Sequence, residues 1–267
     1  MDMKEKISII GAGNLGLSLA KGLVQSGKYR SSDFNLSRRR IEKLNNLSKE
    51  GYHVFNNNVE AIKNTDLIII SVLPQKINEV LQEIKTHLVE GQLIISLVSG
   101  VEIEEICSQI GNDTPIVRAM PNTAISIRES MTCITTTPKW KEHISITKNI
   151  FEIVGETAII NEEKMTSATA LCACGIAFFL RAIRAASQGG NEIDFHAPEA
   201  LKMAAQTAKG AAGLLLTNNS HPEDEIDKVT SPKGCTIAGL NEMEHNGFSS
   251  AFIKGITVSA NKAKDLY

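Results

Sequence analysis

Residues 7–16 constrain the fold of this chain more than any other stretch, because an apolar run leads directly into a glycine-rich turn. The apolar run is Ile-Ser-Ile-Ile, and the turn follows the pattern Gly-x-Gly-x-x-Gly. In that pattern Gly11 permits a tight turn, Gly13 lets a pyrophosphate approach the backbone, and Gly16 lets the next helix pack closely on the strand. The stretch therefore predicts a dinucleotide-binding turn.

The segment after this turn has the pattern of the helix that a dinucleotide site requires. Leu15, Leu19 and Leu23 form an apolar stripe at helical spacing, and Gly27 marks the end of the segment. The N–H groups at the start of such a helix are available to bind phosphate. An ordinary glycine turn between a strand and a helix is the alternative, but the position directly after an apolar run favours the cofactor site.

Further short apolar runs alternate with helical segments along the first half of the chain. The predicted strands are residues 33–37, 66–72, 93–98 and 116–117, with an edge-like strand at 131–136. The second of these runs is apolar almost throughout, which is typical of a strand covered on both faces. Strands alternating with helices predict an α/β fold with a doubly wound, mainly parallel sheet, in which ligands bind beyond the carboxyl ends of the strands.

The end of the second predicted strand indicates which dinucleotide binds. NAD-binding proteins usually place an acid there, whereas this chain has Ser37, Arg38, Arg39 and Arg40. Hydroxyl and guanidinium groups suit the 2′-phosphate of NADP(H). The alternative is a solvated helix that begins with three arginines, but cations are unfavourable at a helix start unless an anion is present. The predicted cofactor is NADPH, with NADH as the less favoured alternative.

The character of the sequence changes near residues 156–163. Long helices are predicted at 165–186 and 197–216, and no further strand is predicted after this point. The second helix is rich in alanine, and small residues at helical spacing let helices approach closely, so this half is predicted to form a helical bundle or an oligomer interface. The predicted domains are residues 1–160 and residues 161–267.

A hydroxyl-rich loop at residues 229–236 is the second candidate site. Its sequence is Val-Thr-Ser-Pro-Lys-Gly-Cys-Thr, directly ahead of a helix predicted to end at Asn246. Such a loop can bind a carboxylate through N–H groups and hydroxyls. Equally, Ser231 as a helix N-cap and Pro232 at the first helical position would account for it. A nucleotide fold with no evident nucleophile or metal site favours hydride transfer, for which positioning can matter more than a strong acid or base.

Composition argues against other classes of protein. The 267 residues carry a net charge of -2, and aromatic residues make up 4%, so neither nucleic acid nor a membrane surface is an expected partner. The hydrophobic fraction of 42% and charged fraction of 22% are typical of soluble globular proteins. Neither a secretory signal nor a membrane span is predicted, because the longest uncharged apolar stretch, 168–180, is too short to cross a bilayer.

The cysteines indicate a reducing compartment. They are odd in number and dispersed, which argues against a disulfide framework, and we predict a cytoplasmic protein without a metal site. Two of them, Cys172 and Cys174, are expected to be small buried hydrophobic residues. The five cysteines are Cys107, Cys133, Cys172, Cys174 and Cys235.

The whole chain resembles the pyrroline-5-carboxylate reductase family. The resemblance is carried by residues 11–16, by Arg-Ala-Met-Pro-Asn-Thr at 118–123, by 206–207 with 210–212, and by 229–240, in the order and spacing of the family. It implies NADPH-dependent reduction of the cyclic imine acid 1-pyrroline-5-carboxylate to L-proline, in proline biosynthesis. It also implies a Rossmann domain followed by an all-α dimerisation domain, in a homodimer or larger homo-oligomer whose active sites include both chains.

The same resemblance implies the residues of the site. Those expected to bind the cofactor are Gly11, Ala12, Gly13, Asn14, Leu15, Gly16, Ser37, Arg38, Arg39, Asn58, Val72, Leu73, Pro74, Gln75, Asn122 and Thr123. Those expected to bind the substrate are Ser231, Lys233, Gly234, Cys235 and Thr236. Ser231 and Thr236 are the expected catalytic residues: the serine would hold the carboxylate, and the threonine hydroxyl would hydrogen-bond the ring nitrogen while hydride adds to the neighbouring carbon.

Several positions depart from the family pattern and leave the substrate open. Residues 172–178 read Cys-Ala-Cys-Gly-Ile-Ala-Phe where the family usually has Ser-Gly-Ser-Gly-Pro-Ala-Tyr. Lys233 replaces a glycine, Leu73 replaces a lysine, Ala124 replaces a proline, and Arg184 stands where an acid is common. The alternatives are therefore a reductase of a different cyclic imine or oxo acid, and a non-catalytic NADP-binding protein.

Overall fold

The structure, a computed structural model, describes residues 5–264. Backbone contacts divide the chain into two units, one of residues 5–174 with 259–264 and one of residues 175–258. The boundary at residue 174 lies 14 residues after the boundary predicted at residue 160. The segment in between stays with the first unit because Met165 and Ala168 pack with Met120 and Cys133 in a small apolar core.

The first unit is built on an eight-stranded sheet. Its strands are β1 (Ile7–Ile10), β2 (Phe34–Ser37), β3 (His53–Phe55), β4 (Leu67–Ile70), β5 (Leu93–Ser96), β6 (Ile116–Met120), β7 (Ser130–Thr135) and β8 (Gly155–Ile159). Their order is β3-β2-β1-β4-β5-β6-β7-β8. The first six strands are parallel, β7 is antiparallel to β6, and β8 is parallel to β7. The predicted α/β class with a mainly parallel, doubly wound sheet is confirmed.

Both faces of the central strands are covered. Every residue of β1, β4 and β5 is buried. Because successive side chains of a strand point to opposite faces, Ile9 and Ile69 belong to one large apolar core and Ile10 and Ile70 belong to a second. The unbroken apolar runs in the sequence are therefore strands packed between two layers of helices.

Three strands, β3, β7 and β8, differ from the prediction. The strand predicted at 131–136 as edge-like is β7, which lies inside the sheet between β6 and β8, so that part of the prediction is wrong. The true edges are β3 and β8, and neither was predicted as a strand. β8 reads Gly-Glu-Thr-Ala-Ile and has no buried residue, so it lacks the apolar run by which the other strands are recognised.

Helices connect the strands of the first unit. They are α1 (Asn14–Gln25), α2 (Asn45–Lys49), α3 (Asn58–Ile62), α4 (Ile77–Ile84), α5 (Ile103–Ile110), α6 (Ile144–Phe151) and α7 (Met165–Ala168). The apolar stripe predicted after the glycines is the buried face of α1, where Leu19 and Leu23 are fully buried. Past the end of α1, Gly27 adopts a left-handed conformation, as a helix C-terminal signal predicts.

The second unit is helical. Its helices are α8 (Gly175–Glu192), α9 (Ala197–Asn218), α10 (Pro222–Lys228) and α11 (Cys235–His245), and α12 (Phe248–Lys264) begins in it. The helix predicted at 165–186 is interrupted, because a π-helical segment, Thr169–Cys174, separates α7 from α8. The helices predicted at 197–216 and up to Asn246 correspond to α9 and α11 within two residues.

Large apolar side chains of the second unit are exposed. Examples are Phe179, Leu180, Ile253 and Val258, each more than half exposed. By length and composition alone, the helical run at 162–192 could also cross a membrane, and 22% of its most apolar window is buried; a single helix of this kind is weak evidence for a membrane span. Exposed apolar surfaces of this kind mark sites of interaction with another protein or with a membrane.

Candidate functional site

The glycine-rich turn joins β1 to α1 and has a separate steric reason for each glycine. Gly11 has φ of +83°, and a Cβ there would lie 2.5 Å from the Ser71 carbonyl oxygen. At Gly13 the nearest atom to an added Cβ is 3.8 Å away, whereas at Gly16 the Ile9 Cγ2 is only 2.9 Å away. The first and third glycines are therefore required by the fold, and the second leaves open space above the backbone.

The start of α1 is suited to an anion. The Leu17 N–H donates to the Gly13 carbonyl oxygen at 2.9 Å, which closes the first turn and leaves the N–H groups of residues 14–16 without partners in the helix. The first turn has no acidic residue. The positive end of the helix dipole and free N–H groups thus lie beside Gly13, where phosphate would bind.

A cavity of about 270 Å³ opens beside this turn, beyond the carboxyl ends of β1, β2 and β4. Eight of the residues predicted to bind the cofactor line it: Gly11, Gly13, Ser37, Arg38, Arg39, Asn58, Val72 and Leu73. Four residues that the sequence did not indicate also line it: Ile10, Ser71, Lys76 and Val80. Parallel sheets bind ligands beyond the carboxyl ends of their strands, at the point where the strand order reverses between β1 and β4.

A chain of hydrogen bonds arranges one wall of the cavity. The buried Ser37 hydroxyl donates to Asn58 Oδ1 at 2.5 Å, and Asn58 Nδ2 donates to Glu83 Oε2 at 2.7 Å. Arg38 Nη1 donates to the Ala12 carbonyl oxygen at 3.3 Å. These contacts place a hydroxyl, an amide and a guanidinium around one end of the cavity.

Two cations share one carboxylate at the mouth of the cavity. Arg39 Nη2 donates to Glu79 Oε1, and Lys76 Nζ donates to Glu79 Oε2 at 3.2 Å. The hydrogen bond from Lys76, and then the one from Arg39, lower the pKa of Glu79. Lys76 precedes α4 and Glu79 lies in its first turn, whereas Arg39 follows β2, so no short sequence pattern connects the three residues.

The other residues predicted to bind the cofactor lie outside this cavity. Ala12 is fully buried beneath the turn, and Gly16 packs α1 on β1. Asn122 and Thr123 follow β6: Asn122 is 8% exposed, donates to the Cys172 carbonyl oxygen at 3.2 Å and accepts from the Ala124 N–H at 3.0 Å. Asn14, Leu15, Pro74 and Gln75 belong to the segments that follow β1 and β4.

A pair of thiols lies next to Asn122. Cys172 is in the π-helical segment, and its Sγ is 3.9 Å from the Sγ of the buried Cys133. The hydrogen bond from Cys133 lowers the pKa of Cys172 to about 7, and the same bond together with burial raises the pKa of Cys133. Cys172 and Cys174 are half-buried rather than buried as expected.

The hydroxyl-rich loop of the second unit forms a tight turn before α11. The Gly234 N–H donates to the Ser231 carbonyl oxygen at 2.9 Å, with Pro232 second in the turn and Lys233 third. Lys233 has φ of +60°, a conformation that favours glycine. The N-cap of α11 is Gly234, so the alternative in which Ser231 caps the helix is wrong.

The turn brings the predicted substrate residues together. Ser231, Lys233 and Gly234 form it, and Cys235 and Thr236 begin α11 with N–H groups that lack helical partners. A Cβ at Gly234 would lie 2.5 Å from Ser231 Oγ, so the hydroxyl packs directly over the glycine. Among residues 5–264, no group of three or more His, Cys, Asp or Glu side chains is arranged to hold a metal ion.

Comparison with protein families identifies both halves of the chain. Residues 6–100 match the family model described as NADP oxidoreductase coenzyme F420-dependent, and residues 162–266 match the one described as pyrroline-5-carboxylate reductase dimerisation. With the glycine-rich turn and the parallel sheet, these matches define an NADP-dependent oxidoreductase with a Rossmann domain. They also confirm, in general terms, a chain that associates with copies of itself.

Individual relatives identify the family. Pyrroline-5-carboxylate reductase 2 of Dictyostelium discoideum is 49% identical over 97% of this chain and 92% of its own length. Pyrroline-5-carboxylate reductase 1 of the same organism is 52% identical over 98% of this chain, which spans half the length of that relative. A solved pyrroline-5-carboxylate reductase from Coxiella burnetii superimposes with a TM-score of 0.89 and 28% identity, covering 99% of both chains. This chain belongs to the pyrroline-5-carboxylate reductase family.

Proposed function

We propose that this protein reduces 1-pyrroline-5-carboxylate to L-proline and oxidises NADPH to NADP⁺. Family membership across both halves of the chain carries the proposal, since one half matches an NADP oxidoreductase model and the other matches the pyrroline-5-carboxylate reductase dimerisation model. The net reaction consumes one hydride and one proton for each carbon–nitrogen double bond. NADPH supplies the hydride, and the protonated imine is already electrophilic, so the protein mainly positions the two reactants.

In this proposal the first unit holds the cofactor. The N–H groups at the start of α1 bind the pyrophosphate above Gly13, where no side chain intervenes. Ser37, Arg38 and Arg39 lie near the 2′-phosphate, and Asn58 lies near the adenosine ribose. The guanidinium groups favour NADPH over NADH because they pair with the extra phosphate.

The nicotinamide end is assigned to two further segments. Val72, Leu73, Pro74 and Gln75 follow β4, and Asn122 and Thr123 follow β6. Both segments begin at the carboxyl ends of strands, where a doubly wound sheet binds its ligand. Asn122 is held by hydrogen bonds on both sides of its amide, so it can present a fixed surface to the ring.

The substrate is assigned to the turn before α11. The N–H groups at 235–236 and the Ser231 hydroxyl bind the carboxylate, and the Thr236 hydroxyl hydrogen-bonds the ring nitrogen. Holding the nitrogen and the carboxylate together fixes the orientation of the neighbouring carbon that accepts the hydride, which is the contribution that positioning makes to hydride transfer.

An assay with NADPH, NADH and a panel of cyclic imines tests the reaction. We expect NADPH oxidation with 1-pyrroline-5-carboxylate and stoichiometric formation of proline, with slower turnover on NADH. A Thr236→Val variant keeps the shape of the side chain and removes the hydroxyl, so we expect kcat to fall more than KM rises. NADPH binding without turnover on any imine would show a non-catalytic protein instead.

Lys233 bears on the alternative of a different substrate. A lysine in a left-handed turn position is strained by about 1 kcal/mol relative to glycine, and its cation would suit a second carboxylate on the substrate. For 1-pyrroline-5-carboxylate, which has one carboxylate, we expect Lys233→Gly to leave KM within about a factor of two, since no pairing is lost. Improved proline formation by the variant would instead indicate a turn adapted to another acid.

The proposed assembly is a homodimer or a larger homo-oligomer in the cytoplasm. The exposed apolar residues of the second unit fall within the match to the dimerisation family, which supports a contact between copies as the cover for this surface. A net charge of -2 supports neither nucleic acid nor anionic membrane as a partner. The five free cysteines among the described residues are consistent with a reducing compartment.

A further inference from the structure

The mouth of the cofactor cavity contains charged residues that the glycine pattern and the arginine run do not account for. Lys76 lines the cavity with Arg38 and Arg39, which brings three cations to the end assigned to the 2′-phosphate. Glu79 bridges two of them, Lys76 and Arg39. The set has a net charge of about +2, which complements a phosphate monoester of charge about −2 near neutral pH.

The bridge contributes little to the stability of the fold. Side chains of Arg39, Lys76 and Glu79 are 67%, 50% and 56% exposed, and exposed ion pairs are weak because water screens them. The ion pair between Arg39 and Glu79 joins segments 40 residues apart, after β2 and at the start of α4. The role of Glu79 is therefore to hold the flexible side chains of Arg39 and Lys76 at one end of the cavity.

We propose that Lys76 and Glu79 determine the preference between the phosphorylated and unphosphorylated dinucleotide. Lys76 is a third cation for the 2′-phosphate and binds it directly. Glu79 positions Arg39 and Lys76 in the absence of cofactor, but its negative charge opposes the phosphate and can accept hydrogen bonds from the free ribose hydroxyls of NADH. Glu79 thereby moderates the preference for NADPH that the cations create.

This inference rests on the proposed cofactor site and makes opposite predictions for its two residues. Lys76→Met removes a charged contact to the phosphate and keeps the length of the side chain, so we expect about tenfold weaker binding of the phosphorylated ligand. Glu79→Gln keeps the shape and removes the opposing charge, so we expect binding of that ligand to become tighter by severalfold. Both variants should bind the unphosphorylated ligand with a dissociation constant within about twofold of the wild-type value, and Glu79→Gln should bind it slightly more weakly.

The experiment uses 2′,5′-ADP and 5′-AMP, which differ only in the 2′-phosphate. Their dissociation constants are measured by calorimetry on the full chain in low and moderate salt. Lys63→Met and Glu60→Gln are the matched controls, because this pair has the same spacing in sequence, a distance of 2.7 Å and similar exposure, 56% and 53%, and lies outside the cofactor cavity. The controls should bind both ligands as the wild type does.

Three outcomes separate the inference from the site on which it rests. Opposite shifts of Lys76→Met and Glu79→Gln in the binding of 2′,5′-ADP, with binding of 5′-AMP changed by no more than about twofold, support it. If Arg38→Ala weakens 2′,5′-ADP while the Lys76 and Glu79 variants match their controls, the cofactor site is correct and the inference is wrong. If Arg38→Ala also leaves 2′,5′-ADP unchanged, the proposed placement of the phosphate is wrong, and the inference is overturned with it.

Discussion

Alanine substitutions at Gly11 and Gly13 of the glycine-rich turn should affect different properties. The first should lower the stability of the fold, and the second should weaken cofactor binding. An alanine at Gly11 would need a left-handed conformation, which costs about 1–2 kcal/mol. Its Cβ would also lie 2.5 Å from the Ser71 carbonyl oxygen, and relieving such an overlap costs about 1–3 kcal/mol. We therefore expect Gly11→Ala to lower the free energy of unfolding by about 3 kcal/mol, which is roughly 6–12 °C in the unfolding midpoint.

At Gly13 the same substitution should spare the fold and impair the cofactor. The residue has φ of −89° and ψ of −156°, an extended conformation with negative φ that does not require glycine, and the nearest atom to an added Cβ is 3.8 Å away. We expect the free energy of unfolding to change by less than about 0.5 kcal/mol, because reduced freedom of the unfolded chain offsets a weaker helix cap. The methyl group would occupy the space assigned to the pyrophosphate, so NADPH should bind at least about tenfold more weakly.

Unfolding of the cofactor-free protein can be followed by the fluorescence of Trp140, which is 5% exposed and packs in a core of the first unit. Protein concentration must be equal in all samples, since association stabilises the folded chain. NADPH binding is then measured by calorimetry. Equal loss of stability in Gly11→Ala and Gly13→Ala, or unchanged NADPH affinity in Gly13→Ala, would refute the reasoning.

Two further predictions concern other parts of the chain. Because the pKa of Cys172 is lowered to about 7, the rate of its alkylation by iodoacetamide should rise with pH to a plateau, with a midpoint near that pH. Cys133→Ala should move this midpoint upward because it removes the hydrogen-bond donor, whereas Cys133→Ser should retain a donor. Identical pH profiles in the wild type and both variants would exclude the hydrogen bond as the cause of the lowered pKa. Leu180→Glu should shift the oligomer toward monomer in sedimentation velocity, because it places a charge on an apolar surface that association buries. Val89→Glu, at a similarly exposed position of the first unit, should leave association unchanged. Unchanged association in both variants would place the interface elsewhere.

Local patterns in the sequence were sufficient to predict the main elements of the candidate cofactor site. The turn after β1 is recognisable because Gly11 has a left-handed conformation, Gly13 leaves open space above the backbone and Gly16 packs closely on the strand, and each of these conditions applies to one residue. The buried strands are recognisable because an apolar run of four residues is the direct consequence of cover on both faces. The hydroxyl-rich loop at 229–236 was recognisable from its residues as a candidate site, whereas the roles of those residues come from the resemblance to a family and stay predictions.

Tertiary structure alone decided other features. The edge strand β8 has no buried residue, so only its pairing with β7 identifies it. The π-helical segment breaks a run that has ordinary helical periodicity, and it places Cys172 beside a thiol 39 residues earlier in the chain. Neither feature leaves a local signal, because each depends on which neighbour the sheet and the core bring close.

The charged residues at the mouth of the cavity show the same division. Arg39 is visible in the sequence as part of a run that replaces the usual acid, and that run by itself determined the expected class of dinucleotide. Arg39 contacts Glu79, and Lys76 lines the same cavity, only because the fold brings the segment after β2 and the start of α4 together beyond the carboxyl ends of the strands. Backbone conformation and burial are properties of single residues and short runs, whereas an ion pair between distant segments is a property of the completed fold.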